Sequence, residues 1–219
     1  MTGLMRTTKK NRVEKIQQSL DHLFPDPHCE LVYHTDYELL IAVVLSAQST
    51  DKRVNSVTPF LFQKYPTLEQ LKDAPLSELE DILKPIGSYH KKAFYVKEIA
   101  RRIVEDYQGV MPQRRKDLES FPGVGRKTVS VVFSEYYKIP AFAVDTHVER
   151  VSKRLKLGQE EDSVLMIEQK LKKAFPRSEW GRRHLQFVLF GRYFCKAVKP
   201  LCENCSLQGI CSYYQKKKK

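Results

Sequence analysis

Four of the five cysteines fall within 17 residues, Cys195, Cys202, Cys205 and Cys211, spaced C-x6-C-x2-C-x5-C. Four soft thiolates in one compact loop can hold either a tetrahedral zinc ion or a cubane iron–sulfur cluster. Zinc folds commonly pair two short C-x2-C knuckles. Here a single C-x2-C is flanked by longer arms that suit a larger cluster, so iron–sulfur leads and zinc remains the competitor. Cys29 stands far from the group and reads as a small buried hydrophobe. Such local crowding argues against a secreted disulfide scaffold.

A second chemical group surrounds Lys127. The run Leu118-Glu119-Ser120-Phe121-Pro122-Gly123-Val124-Gly125-Arg126-Lys127-Thr128 places a Pro-Gly-Val-Gly turn between two predicted helices. Glycines permit close backbone approach, and the amides that open the following helix have no intrahelical partner, so Gly123, Val124, Gly125 and Arg126 form a candidate phosphate seat. Without a preceding strand, the pattern is not that of a nucleotide-binding loop. Lys127 falls in the first turn of the second helix, where the positive end of the dipole disfavours an ammonium ion and favours the neutral amine of a nucleophile. Eighteen residues later, Val144-Asp145-Thr146-His147 brings a carboxylate to another helix start, where Asp145 is also a natural N-cap. His147, inside that helix, reads as a packing or locally hydrogen-bonded residue.

The elements that must carry these groups are helical. Val96, Ile99, Ala100, Ile103, Val104 and Tyr107 follow the three-and-four spacing of one buried face over 89–107, with Gly109 placed to end that helix. Other helices are predicted at about 11–23, 37–47, 52–64, 115–120, 126–137, 146–155, 162–174 and 179–194. Thr67 with Gln70 and Ser77 with Glu80 match the capping-box pattern. The predicted fold class is all-α.

The 219 residues carry a formal net charge of +12, pointing to a polyanionic partner. The charge is unevenly spread: residues 1–15, 16–150 and 151–219 carry +4, −2 and +10. Arg6, Lys9, Lys10 and Arg12 read as a solvated lead-in, and Lys216–Lys219 as either a DNA-grasping or a solubilising tail. No apolar run approaches the ~20 residues of a membrane span and no secretory signal opens the chain, so a cytoplasmic protein is expected, nucleoid-associated if bacterial.

Taken together, F-P-G-V-G-R-K-T, V-D-T-H and the cysteine spacing, with L-S-A-Q-S-T-D at 45–51 and I-G-S-Y-H-K-K-A at 86–93, resemble the endonuclease III family of helix-hairpin-helix DNA glycosylases. The resemblance runs from about residue 15 to 214. It implies a [4Fe–4S] cluster on the four cysteines. It further implies a six-helix barrel at 29–140, with the helix-hairpin-helix motif at about 115–137, and a cluster domain built from 1–28 and 141–219. DNA would lie across the groove between the two domains. The implied activity is that of a bifunctional glycosylase and abasic-site lyase that removes oxidised pyrimidines from double-stranded DNA. Lys127 would be the Schiff-base nucleophile and Asp145 would stabilise the positive charge on the sugar. Gln48 would enter the space left by the flipped nucleotide, and a monovalent cation would accompany the hairpin phosphate site. Arg192, Lys196 and Lys199 would add phosphate contacts. A monomer without membrane contact is expected.

One position departs from the family pattern. Ser88 stands where an apolar wedge is usual, which leaves Tyr89 or neighbouring backbone to fill the stack. Two competing readings are an adenine-mismatch glycosylase and a non-catalytic iron–sulfur DNA-binding module. Neither needs Lys127 and Asp145 together.

Overall fold

The computed structural model describes residues 8–217, and the sequence-based readings that fall on Arg6, Lys218 and Lys219 lie outside them. Among the described residues all regular structure is helical. Residues Cys29–Lys138 form one compact unit; the described residues up to His28 and those from Ile139 onward form a second.

The Cys29–Lys138 unit holds α2 (Asp36–Leu45), α3 (Asp51–Asn55), α4 (Thr58–Lys64), α5 (Leu68–Asp73), α6 (Leu76–Leu83), α7 (Tyr89–Tyr107), α8 (Arg115–Glu119) and α9 (Arg126–Glu135). Its central element is α2, whose residues Glu38 to Leu45 are all buried. A helix apolar on every side must be enclosed, and each fully buried Leu, Ile or Val contributes about 1.5–3 kcal/mol. Helix α7 packs the Val96, Ile99, Ala100 and Ile103 face against α5, α6 and α2, while α9 packs on α2. It ends through two left-handed residues, Gln108 and Gly109, with the Gly109 amide donating to the Ile103 carbonyl at 2.9 Å.

Local sequence decides several boundaries. Thr67 and Gln70 form the reciprocal capping box expected of them. Ser77 and Glu80 do not: α6 starts one residue earlier, at Leu76 behind Pro75, which places Ser77 inside the helix. Glu80 pairs instead with the His90 ring at 3.0 Å. The single helix expected at 52–64 is two, α3 and α4, because Pro59 has no amide to continue the α3 ladder and sits instead in the opening turn of α4, where none is needed.

The other unit contains α1 (Lys9–Leu23), α10 (Thr146–Arg154), α11 (Val164–Ala174), α12 (Trp180–Leu189) and α13 (Ser212–Lys217). Phe142, Phe175 and Phe187 pack ring against ring at 5.9–6.2 Å, and Ile16 and Leu20 of α1 join the same core. A polar lock reinforces it: buried Arg183 donates to Asp21, Glu179 and Gln186, and the Gln186 amide donates to the Phe24 carbonyl at 2.9 Å. The helix expected at 179–194 instead runs through a 3-10 turn at Arg177–Glu179, α12, and a π-turn at Phe190–Phe194. The π-turn closes with the Cys195 amide donating to the Phe190 carbonyl at 2.6 Å. It also places Gly191 against His147, where a Cβ on residue 191 would lie 2.8 Å from the His147 Cβ.

Candidate active site and metal centre

The hairpin is built from its core outward. Leu118, Phe121 and Val124 are buried beneath the α8–α9 turn, leaving Gly123, Gly125 and Arg126 exposed. Arg115 bolts the two helices together, donating to the Arg126 carbonyl at 3.2 Å and to Ser130 Oγ at 3.0 Å. Arg102 closes the other side, stacking on the Phe121 ring at 4.6 Å and donating to the Ser120 carbonyl at 2.7 Å. The expected phosphate seat needs one correction: the Val124 amide already donates to the Phe121 carbonyl at 3.1 Å. The Gly123 and Gly125 backbone and the opening amides of α9 remain as candidates for the seat.

Gly123 must be glycine on two counts. Its φ is +76°, and a Cβ would lie 2.5 Å from Tyr95 Cδ2 and 3.1 Å from Val44 Cγ1. Gly123→Ala is expected to cost about 1–3 kcal/mol from backbone strain and overpacking. In a chain of this size that lowers Tm by several degrees, measured by thermal unfolding; an unchanged Tm would disprove the close approach.

Lys127 is the second residue of α9, behind Gly125 as N-cap, and is half-buried. Cys29, read from sequence as a small buried hydrophobe away from the cysteine cluster, is half-buried within electrostatic range of Lys127, Asp51 and Glu135; burial pushes its thiol up to about 11.

Gln48 occupies an exposed turn after α2 with φ +56°, and Ser88 is the exposed N-cap of α7 with φ +57°. Left-handed geometry is uncommon for residues other than glycine and clusters at functional sites. The two turns are adjacent, with Gln48 O 3.9 Å from where a Gly87 Cβ would sit. Tyr89 is half-buried, its ring tilted against that of His90 at a centroid separation of 4.0 Å.

In the second unit Asp145 caps α10. Its Oδ1 accepts from the His147 and Val148 amides at 2.9 and 2.8 Å, and Oδ2 lies 3.3 Å from His147 Nδ1. Burial alone would raise the carboxyl pKa. The His147 hydrogen bond, the Val148 amide and the charges of His184 and His147 outweigh it and hold the group well below the usual carboxylate range. Asp145 is therefore a fixed anion with 20% of its side chain exposed, fit to meet a developing cation and unfit to donate a proton. His184, which sequence reasoning missed, is buried with Nδ1 2.9 Å from the Ala143 carbonyl oxygen; a lone histidine inside a helix carries no local signal of such a role.

The four clustered cysteines line one half-open pocket together with Leu155, Phe190, Phe194, Pro200, Leu201, Gln208, Tyr213 and Tyr214. An apolar chamber walled by four thiols is the donor set a multi-iron cluster requires. Arg154 braces its rim, stacking on Tyr213 at 3.9 Å and donating to Cys195 Sγ at 3.3 Å and to the Lys196 carbonyl at 2.8 Å. Lys196 and Lys199 are exposed on the same loop, while Arg192 is half-buried in the π-turn.

A family model described as HhH-GPD superfamily base excision DNA repair protein matches residues 41–177, and one described as iron-sulfur binding domain of endonuclease III matches residues 195–211. Endonuclease III of Bacillus subtilis (strain 168) is 45% identical over 208 residues, which cover 95% of this chain and 95% of that protein. Endonuclease III of Synechocystis sp. is 41% identical over 214 residues, covering 96% and 97%. Among solved structures, a trapped endonuclease III–DNA covalent intermediate, an estranged-adenine complex, superposes with a TM-score of 0.90 at 46% identity, covering 94% of this chain and 99% of that one. A thermostable thymine-DNA glycosylase superposes at 0.80 with 27% identity, covering 95% and 97%.

Proposed function

This chain belongs to the endonuclease III family of DNA glycosylases and abasic-site lyases of base excision repair, and we propose that it removes oxidised pyrimidines using Lys127 as nucleophile. The [4Fe–4S] cluster of the family is held by Cys195, Cys202, Cys205 and Cys211. When bound, it cross-links the 195–211 loop through four thiolate bonds.

A damaged nucleotide must leave the stack before its sugar carbon can be reached. The neutral Lys127 amine attacks C1′; the glycosidic bond breaks and its electron pair leaves with the base. Asp145, already an anion, stabilises the positive charge that builds on the sugar. The bonded amine gives up one proton, O4′ takes up a proton as the C1′–O4′ bond breaks and the sugar ring opens, and the nitrogen keeps its second proton as a protonated Schiff base. The iminium acidifies C2′, a proton leaves from there, and the C3′–O bond breaks with departure of the 3′ phosphate. Water then hydrolyses the imine and frees Lys127. The observation that carries this reading is Lys127 in the opening turn of α9, directly behind an exposed Gly-rich turn. The covalent DNA intermediate of a structural neighbour supports it.

The exposed turns at Gln48 and Ser88 enter the duplex, with Gln48 facing the orphaned base. The hairpin backbone at Gly123 and Gly125 holds a phosphate with a monovalent cation, and Lys196 and Lys199 bind further phosphates. Among the described residues no helix is long and apolar enough to cross a membrane, and the cytoplasm, where bacterial DNA resides, is the compartment this reading requires.

Incubation with duplexes carrying thymine glycol, an adenine opposite 8-oxoguanine, or an abasic site, with and without borohydride, tests the assignment. Cleavage and covalent trapping are expected on the first and last. Excision confined to the mispaired adenine would overturn it. Because Ser88 is too small to fill the vacated stack, Ser88→Leu is expected to raise excision of fully paired lesions several-fold while barely changing cleavage at a preformed abasic site, where no base need be extruded. Equal rates for the two proteins on paired lesions would refute the wedge argument.

A further inference from the structure

The Cys29–Lys138 unit encloses a lysine that the mechanism does not use. Lys92, in the second turn of α7, is 4% exposed. Its ammonium donates to Ser49 Oγ at 3.2 Å. Burial alone pushes its pKa down from the ordinary lysine value, with no carboxylate opposing the shift. A buried ammonium without a counter-ion is costly to keep, and an apolar side chain of the same length would pack there at less expense. Its connections supply a reason. The backbone amide of Lys92 makes the opening i→i−4 bond of α7, to the Ser88 carbonyl at 3.0 Å, and its side chain carries the connection on to Ser49, the residue after Gln48. One residue therefore bonds both turns that carry the exposed left-handed residues.

We propose that Lys92 is a positioning residue that couples the Gln48 turn to the Ser88 turn, so that both enter the duplex as one unit when a paired lesion is extruded. The proposal rests on the reading that these turns enter DNA. The φ of +56° at Gln48 is bracketed by fixed geometry: Ser49 N donates to the Ser46 carbonyl at 3.0 Å, and Thr50 Oγ1 caps α3 by accepting from Arg53 N. Between them the Ser49 hydroxyl is the available handle, and Lys92 holds it. Misplacement of a positioning element by about 1 Å can cost as much as 10²-fold in rate.

The test compares Lys92→Met, which keeps the length and removes the donors, with Ser49→Ala and Gln48→Ala in the cluster-loaded full chain. Each is assayed for excision of thymine glycol from duplex DNA, for β-elimination at a preformed abasic site, and for the fluorescence rise of a 2-aminopurine placed opposite the lesion. Lys92→Met is expected to lose about tenfold in kcat/KM on the paired lesion and to blunt the fluorescence rise, with much less effect at the abasic site. Ser49→Ala should move the same readouts in the same direction, and it carries the test if Lys92→Met does not fold. If Gln48→Ala blunts the rise while Lys92→Met and Ser49→Ala leave it intact, the coupling is wrong and the insertion reading stands. If Gln48→Ala also leaves it intact, the insertion reading falls and the coupling with it.

Discussion

Lys127→Gln is expected to yield a folded, DNA-binding protein that forms no covalent adduct with damaged DNA under borohydride and neither excises bases nor cuts abasic strands. Gln nearly matches lysine in length but has no nucleophilic amine. Lys127 is half-buried and its helix is capped at Gly125 without any side-chain hydrogen bond. The stability change should therefore stay within about 1 kcal/mol. Activity should fall by about 10⁴-fold or more, the order seen when a covalent nucleophile is removed. Affinity for an abasic duplex should change little, since the proposed hairpin contacts are made by backbone. Gel shift, thermal unfolding and trapping on one preparation separate these quantities. Trapped product at wild-type yield would remove Lys127 from the role.

Asp145→Asn separates the observed N-cap of one carboxylate from the charge stabilisation proposed for it. As an N-cap, Asn is nearly equivalent to Asp, because its carbonyl oxygen can accept the His147 and Val148 amides in place of Oδ1. What is lost is the charge, worth about 0.3–1 kcal/mol at a helix N-terminus. Base excision should nonetheless fall by about 10²–10³-fold, because the anion proposed to stabilise the developing sugar cation is gone. Trapping at a preformed abasic site should fall far less, since its aldehyde carbon is already electrophilic. A pH signature accompanies the substitution. Folding depresses the Asp145 pKa, so the stability it contributes is fully present above the unfolded value of about 3.9 and is lost as pH falls through the folded value. The Asn variant lacks that portion of the acid loss. Equal effects on excision and trapping, or a large loss of Tm at neutral pH, would show that Asp145 acts only as a cap.

The legible parts of the molecule were those in which a few adjacent residues decide the outcome. Thr67 and Gln70 specify a capping box by themselves, and the α7 face follows from its apolar spacing. Features decided by distant partners were hidden. The π-turn exists where Gly191 meets His147, 44 positions away, and no helix pattern announces it. Thr58-Pro59 did carry a local warning, the missing amide, which the apolar rhythm of 52–64 masked. At the candidate site, cysteine spacing alone left zinc open. The apolar pocket lined by all four thiols and the iron–sulfur family match over 195–211 favour the cluster. Lys92 was visible only as part of a motif, because lysine is ordinarily solvated and its burial depends on the packing of α7 against α2.

The unit built from both chain ends also sets an order of events during synthesis. Cys29–Lys138 is continuous and can fold as soon as it has left the ribosome, whereas Ile16 and Leu20 of α1 share a core with Phe187 of α12. At roughly 5–20 residues per second, the intervening residues leave α1 without that partner for on the order of ten seconds. Its sequence, KKNRVEKIQQSLDHL, is suited to the wait: predominantly polar and charged, it has little apolar surface to aggregate through. The 195–211 loop emerges later still, so iron and sulfide can be received only after the Cys29–Lys138 unit and α12 have been made.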